Sequence, residues 1–151
     1  MHTTWIVAAD STRARILEKR GKDEPLRELE DLYNPEGRQN NNEIVSDSRG
    51  RFWGRQGRPW GQGDSGEPQT TPVEHEVTLF ARELAQYLDK GRNDHLYERL
   101  FIIADPKFLG ILRTKMNKHV SEMVEQDAAY EISNWNTHQI AEFAGQKFGL
   151  H

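Results

Sequence analysis

The chain has 151 residues and no cysteine, which suits one domain with one core and excludes disulfides, thiolate zinc sites and a cysteine nucleophile. Its 20 basic and 24 acidic residues give a formal net charge of −4, so any nucleic-acid role needs a local positive patch. Hydrophobic residues make up 35% of the chain, and the apolar shortfall is concentrated in residues 34–71.

Met1 to Asp10 lacks a basic region followed by a long apolar stretch, so no signal peptide is expected. No apolar run approaches the ~20 residues that span a bilayer. The expectation is a cytoplasmic protein without membrane insertion. Trp5-Ile6-Val7-Ala8-Ala9 reads as a strand buried on both faces, and Asp10-Ser11-Thr12 is turn chemistry. Residues 13–19 alternate in part and end at Gly21, which makes the first two strands a hairpin. Leu26, Leu29 and Leu32 are spaced by three, which suits a helix as well as a strand.

Residues 34–71 break the pattern: Gly, Asn, Gln, Arg, Ser and Pro dominate, and a stretch of this length is either functional or disordered. Thr71-Pro72-Val73-Glu74 reads as a capping box with proline at the first helical position. Val73, Val77, Phe80, Ala81, Leu84 and Leu88 then form one stripe at helical spacing, and Gly91 is expected to stop the helix. Leu100 to Ala104 is a buried strand. Asp105 caps a second helix that buries Phe108, Leu109, Leu112 and Met116. Val120 to Asp127 is ambiguous between helix and strand, with strand preferred. Asn136 caps a last helix, with Ile140, Phe143 and Ala144 inward. The expected architecture is α/β: a single three-layer domain, 1–151, with a mixed five-stranded sheet in ribonuclease H-like order and a long loop after the third strand.

Three blocks carry a resemblance. Trp5-Ile6-Val7-Ala8-Ala9-Asp10-Ser11-Thr12-Arg13-Ala14-Arg15-Ile16 opens the chain. His75-Glu76 with Phe80-Ala81-Arg82-Glu83-Leu84 opens the first long helix. Pro106-Lys107-Phe108-Leu109-Gly110-Ile111-Leu112-Arg113 opens the second and is the most specific. Together they resemble the bacterial family described as protein required for attachment to host cells. That family in turn resembles the middle domain of archaeal and eukaryotic peptide-chain release factors. The resemblance implies strands over 26–33 and about 120–127. It also sets the long loop where release factors carry a Gly-Gly-Gln tip.

Residues 46–66 read SDSRGRFWGRQGRPWGQGDSG, and residues 38–66 carry a formal charge of +2. Arg49, Arg51, Arg55 and Arg58 suit phosphate oxygens, and Phe52, Trp53 and Trp60 suit stacking on bases. The glycines between them allow close backbone approach. The bland alternative is a spacer, or a loop whose tryptophans fold back onto the core. Within it, Gly61-Gln62 matches two residues of the release-factor tip, with Trp60 in place of the first glycine. In that reading Gln62 and Gly61 are the catalytic candidates.

Asp10 and Asp105 follow strands that are neighbours in the expected sheet, and Glu74 or Glu76 opens the next helix. Asp10, Glu76 and Asp105 are therefore candidate ligands for a hard divalent ion. Against that, Asp10 has a turn to open and Asp105 a helix to cap. His75 has no histidine four residues on, and His95, His119 and His138 lack companions at ligand spacing. No cofactor is expected. The favoured expectation is a non-enzymatic module that contacts RNA or a ribosomal partner through residues 46–66. The alternatives are ester hydrolysis on peptidyl-tRNA and a protein partner in an attachment or envelope pathway.

Overall fold

The computed structural model describes residues 2–34 and 72–150. Strand β1 (Thr3–Ala9) is followed by β2 (Arg13–Arg20), β3 (Arg27–Tyr33), helix α1 (Pro72–Asn93), β4 (Arg99–Ala104), α2 (Pro106–Lys115), α3 (Lys118–Met123), β5 (Val124–Ala129) and α4 (Thr137–Phe148). The sheet order is β3-β2-β1-β4-β5. β1, β2 and β3 pair antiparallel, whereas β4 and β5 join β1 in parallel. This is the mixed five-stranded, ribonuclease H-like order that the sequence leads one to expect.

β1 and β4 are apolar on both faces because both are covered. Trp5, Val7, Leu100 and Ile102 pack on one side against Phe80, Leu84 and Leu88 of α1 and Phe108, Leu109 and Leu112 of α2. Ile6, Ala8, Phe101 and Ile103 pack on the other against Ile140, Ala144 and Phe148 of α4. The result is three layers, α1–α2–α3 over the sheet over α4.

Among the described residues, Trp5 is the largest fully buried side chain. Its ring lies 4.6 Å from that of Tyr97, and its indole N–H donates to Glu18 Oε2 at 3.3 Å. The Tyr97 hydroxyl donates to the Leu88 carbonyl at 2.7 Å, and burial pushes its pKa up to about 12.

Two boundaries differ from expectation. Gly91 does not end α1, which runs on to Asn93. A Cβ at Gly91 would meet the Trp5 ring at 2.7 Å, so the glycine is there for close packing. The stop falls at His95, whose φ is +57°. His95 N–H bonds to Arg92 O and Leu96 N–H to Gly91 O, the pair of bonds that defines a Schellman motif. Residues 120–123 belong to α3, not to a strand. Asn117 caps that helix by accepting from Val120 N–H at 2.8 Å, and β5 follows at 124–129. The Thr71 cap lies outside the described residues.

β3 is a strand despite its leucine spacing. A bulge between Ile16 and Leu17 pairs them with Glu30 and Glu28, so Leu29 has no partner opposite it. Leu29 and Leu32 therefore both pack toward the α1 side, while Leu26 packs toward α4. Among the described residues, no helix is long and apolar enough to cross a membrane.

Candidate functional site

The carboxyl ends of β1 and β4 form one edge of the sheet, with Ala9 opposite Ala104. Asp10 leaves β1 there. Its Oδ1 accepts from Thr12 N–H at 2.9 Å, from the Thr12 hydroxyl at 2.9 Å and from Arg13 N–H at 3.0 Å. Its Oδ2 accepts from the Ser133 hydroxyl at 2.7 Å, which ties the β1–β2 turn to the segment before α4. Asp105 accepts from Phe108 N–H at 3.1 Å as the cap of α2.

The two aspartates are thus neighbours, each committed to backbone donors. Glu76 lies half-buried in α1. Among the described residues, no three His, Cys, Asp or Glu side chains are arranged to hold a metal ion. Asp10, Glu76 and Asp105 are not brought together as a metal centre. Asp10 and Asp105 do the turn and cap work that their sequence context allows.

Beside Asp10 stands an ion-pair group that sequence reading missed. The Arg13 guanidinium is bidentate on Asp31, at 2.9 and 2.6 Å, and lies 5.3 Å from the centre of the Tyr33 ring. The Arg13 hydrogen bond holds the Asp31 carboxyl below its ordinary pKa. Arg15 is buried, donates to the Trp135 carbonyl and stands 3.9 Å from Glu28. Burial, and then the neighbouring Arg13 charge, lower its pKa. The alternation of charge with apolar residues in β2 was the available signal. The partners come from β3 and from the segment before α4, and only the fold supplies them.

Asn34 and Pro72, the described residues that flank 35–71, both lie toward the same edge. Asn34 is buried, with its N–H on Thr12 O at 2.9 Å and its side-chain amide on Ser11 O at 3.0 Å. The chain therefore leaves β3 pinned to the β1–β2 turn. It returns at Pro72, where α1 begins. Phe80 near that end lies 5.9 Å from Phe108 in the first turn of α2, while Gly91 near the far end meets Trp5. The start of α1 is thus on the carboxyl side of β4. Arg49, Arg51, Phe52, Trp53, Arg55, Arg58, Trp60, Gly61 and Gln62 lie outside the described residues.

A profile of the family described as "Protein required for attachment to host cells" matches residues 5–143. The chain belongs to this family. The block from Pro106 to Arg113 forms most of α2 and buries Phe108, Leu109 and Leu112. The host-attachment chain also has fold relatives among solved structures. The crystal structure of an archaeal translation termination factor, aRF1, superposes with a TM-score of 0.52 and 11% identity, over 96% of this chain and 34% of that one. A second structure, described as an archaeal protein, gives 0.51 and 11%, over 98% and 34%. The host-attachment chain spans about one third of the length of each. At this identity the likeness concerns the fold. Among curated proteins there is no significant match.

Proposed function

We propose that this host-attachment-family protein is a non-enzymatic binding module that contacts RNA or the ribosome through residues 46–66. The observation that carries the reading is the composition of that segment: four arginines, three aromatic residues and six glycines in 21 residues. Arg49, Arg51, Arg55 and Arg58 take phosphates, and Phe52, Trp53 and Trp60 stack on bases. Two structural facts support it. Asn34 and Pro72, which flank residues 35–71, both lie at one edge of the sheet, and the fold is shared with a translation termination factor. A protein partner in an attachment or envelope pathway is the competing reading, and the family description supports it. A release-factor-like hydrolysis through Gly61 and Gln62 draws on their match to two residues of the release-factor tip and on the fold likeness, and the bulk of Trp60 beside them argues against it.

The test is tryptophan fluorescence during titration with single-stranded and structured RNA at two salt concentrations. Trp5 is buried at the centre of the core, so replacing it to simplify the signal would damage the fold. The control is instead the Trp53→Phe/Trp60→Phe protein, which keeps Trp5 and Trp135. The expected result is saturable quenching that weakens with salt, disappears in that control and falls at least tenfold in affinity when the four arginines become alanine. Equal quenching in the arginine variant, or none at low salt, overturns the reading in favour of a protein partner. Hydrolysis of peptidyl-tRNA on loaded ribosomes by the intact chain, lost in Gln62→Ala, overturns its non-enzymatic part.

A further inference from the structure

At the opposite edge of the sheet, the amino ends of β1 and β4 meet the end of β2. Thr4 stands opposite Lys19 on β2 and opposite Arg99 on β4. All three lie on the α4 face, in line with Ile6, Leu17 and Phe101. They form one row across three adjacent strands, with directly opposed Cβ atoms roughly 5 Å apart. A groove of about 660 Å³ opens over this row, between the β2–β3 hairpin and the residues that follow α4.

Two polar groups in this row are buried and under-used. Lys19 is only 9% exposed. Its ammonium donates to the Glu24 carbonyl at 2.6 Å, and among the described residues it has no other acceptor and no carboxylate within ion-pair distance. Two of its three N–H donors are left. Thr4 is 4% exposed, and its hydroxyl has no hydrogen-bond partner among the described residues. A buried cation without a counter-ion and a buried hydroxyl without a partner each cost stability, so their pairing in one groove wall calls for an acceptor.

The surroundings favour an anion. Arg20, Lys22 and Arg99 line the groove along with Lys19, against Asp23 and Glu24. Arg99 is bidentate on Glu125, at 3.1 Å for both bonds, with its guanidinium 5.1 Å from the Phe101 ring centre. Arg20 is tied to Glu18 at 2.8 Å. At the end of α4, the carbonyls of Ala144 and Gly145 are taken by the N–H groups of Gly149 and Leu150.

We infer that this groove is a binding site for a small phosphorylated molecule, whose phosphate is held by Lys19 Nζ and the Thr4 hydroxyl with Arg99 beside it. A tetrahedral dianion uses several donors that converge on one point, and lysine serves phosphate as a compact point charge. The groove is far larger than a bare phosphate and falls in the usual size range of small-ligand sites. An adjoining groove of about 980 Å³, which shares Lys19, Lys22 and Leu150 with the first, leaves room for the rest of the molecule. The site lies at the opposite end of β1 from Asn34, which follows β3 at the carboxyl edge, and is independent of the RNA reading.

The test is amide chemical-shift titration of the intact protein with inorganic phosphate, phenyl phosphate and acetate, with chloride matching the ionic strength. Saturable shifts at Thr4, Lys19 and Arg99 are expected with phosphate and more strongly with phenyl phosphate. Lys19→Met and Thr4→Val should each weaken them by roughly tenfold, while leaving RNA quenching unchanged. Shifts that persist in both variants, that chloride reproduces, or that acetate matches would overturn the proposal. So would the absence of saturation up to about 100 mM, which corresponds to negligible affinity. Lys19→Met that fails to fold leaves Thr4→Val, which removes one hydroxyl at nearly constant volume, as the deciding variant.

Discussion

Two glycines show how one residue type does opposite work. Gly91 sits under the Trp5 ring, where an added Cβ would approach Cη2 to 2.7 Å and Cζ3 to 2.9 Å. That ring is held by Tyr97, Tyr87 and Glu18 and has nowhere to go. Gly91→Ala should therefore destabilise the fold by about 1–3 kcal/mol. Gly110 lies mid-helix in α2, with nothing within 4 Å of an added Cβ. Gly110→Ala should stabilise by about 0.5–1 kcal/mol, because alanine loses less backbone entropy in a helix. Urea unfolding of the two variants beside the parent protein measures both. Equal midpoints would show that neither the Trp5 contact nor helix propensity acts as argued. In the sequence the two look alike, each a glycine inside a helical pattern, and only the neighbour across the core separates them.

Helix ends account for most of the agreement and the disagreement at the level of elements. Asp105 and Asn136 are legible caps, since each is an Asx residue ahead of an apolar period, and both make the expected bonds. Asn117 is the same signal before Val120, but the apolar Val120, Met123 and Val124 beyond it also fit a strand. The end of α1 was misread because a glycine is the commonest residue at the left-handed position after a helix, and here His95 occupies that position. A left-handed backbone costs an ordinary residue roughly 1–2 kcal/mol. His95→Gly should recover about 1 kcal/mol of that, seen as a higher urea midpoint with an unchanged slope. A lower midpoint would mean that the imidazole contributes more than the backbone strain costs. In β3, the three-residue leucine spacing is helical in appearance and strand-like in fact, because the bulge opposite Ile16 and Leu17 absorbs one residue.

For the whole molecule, acid stability follows from the ion pairs on β2 and β3. Asp31 is held below its ordinary pKa by the Arg13 hydrogen bond. Burial alone would raise the Glu18 pKa, but hydrogen bonds from Arg27, Arg20 and Trp5 outweigh it and lower the value. A carboxyl with a depressed folded-state pKa binds fewer protons folded than unfolded. Its stabilisation is full above the unfolded value, 3.8 for Asp31 and 4.5 for Glu18, and is lost as pH falls through the lower folded value. Melting temperature should accordingly drop steeply below about pH 4, and the drop should be shallower in Asp31→Asn and Glu18→Gln. An unchanged pH profile in both variants would assign acid unfolding to other carboxyls. The same sheet order sets Asn34, where the described chain stops after β3, and the Lys19–Thr4–Arg99 row at opposite ends of β1.

By itself, the sequence determined the class of fold, the family, and the existence of nearly every element. Each of these depends on local information: the double-sided apolar runs of β1 and β4, the helical stripe of α1, the Asx caps and the Pro106–Arg113 block. Residues 46–66 declare their chemistry by composition alone, and their function is a proposal drawn from it. The tertiary structure decided what depends on partners distant in the chain. It gave Asp10 its hydrogen-bond donors in Thr12, Arg13 and Ser133. It set Gly91 against Trp5, 86 residues away in the sequence. It also aligned Thr4, Lys19 and Arg99 from three strands, a juxtaposition that exists only once β4 has crossed back to lie parallel to β1.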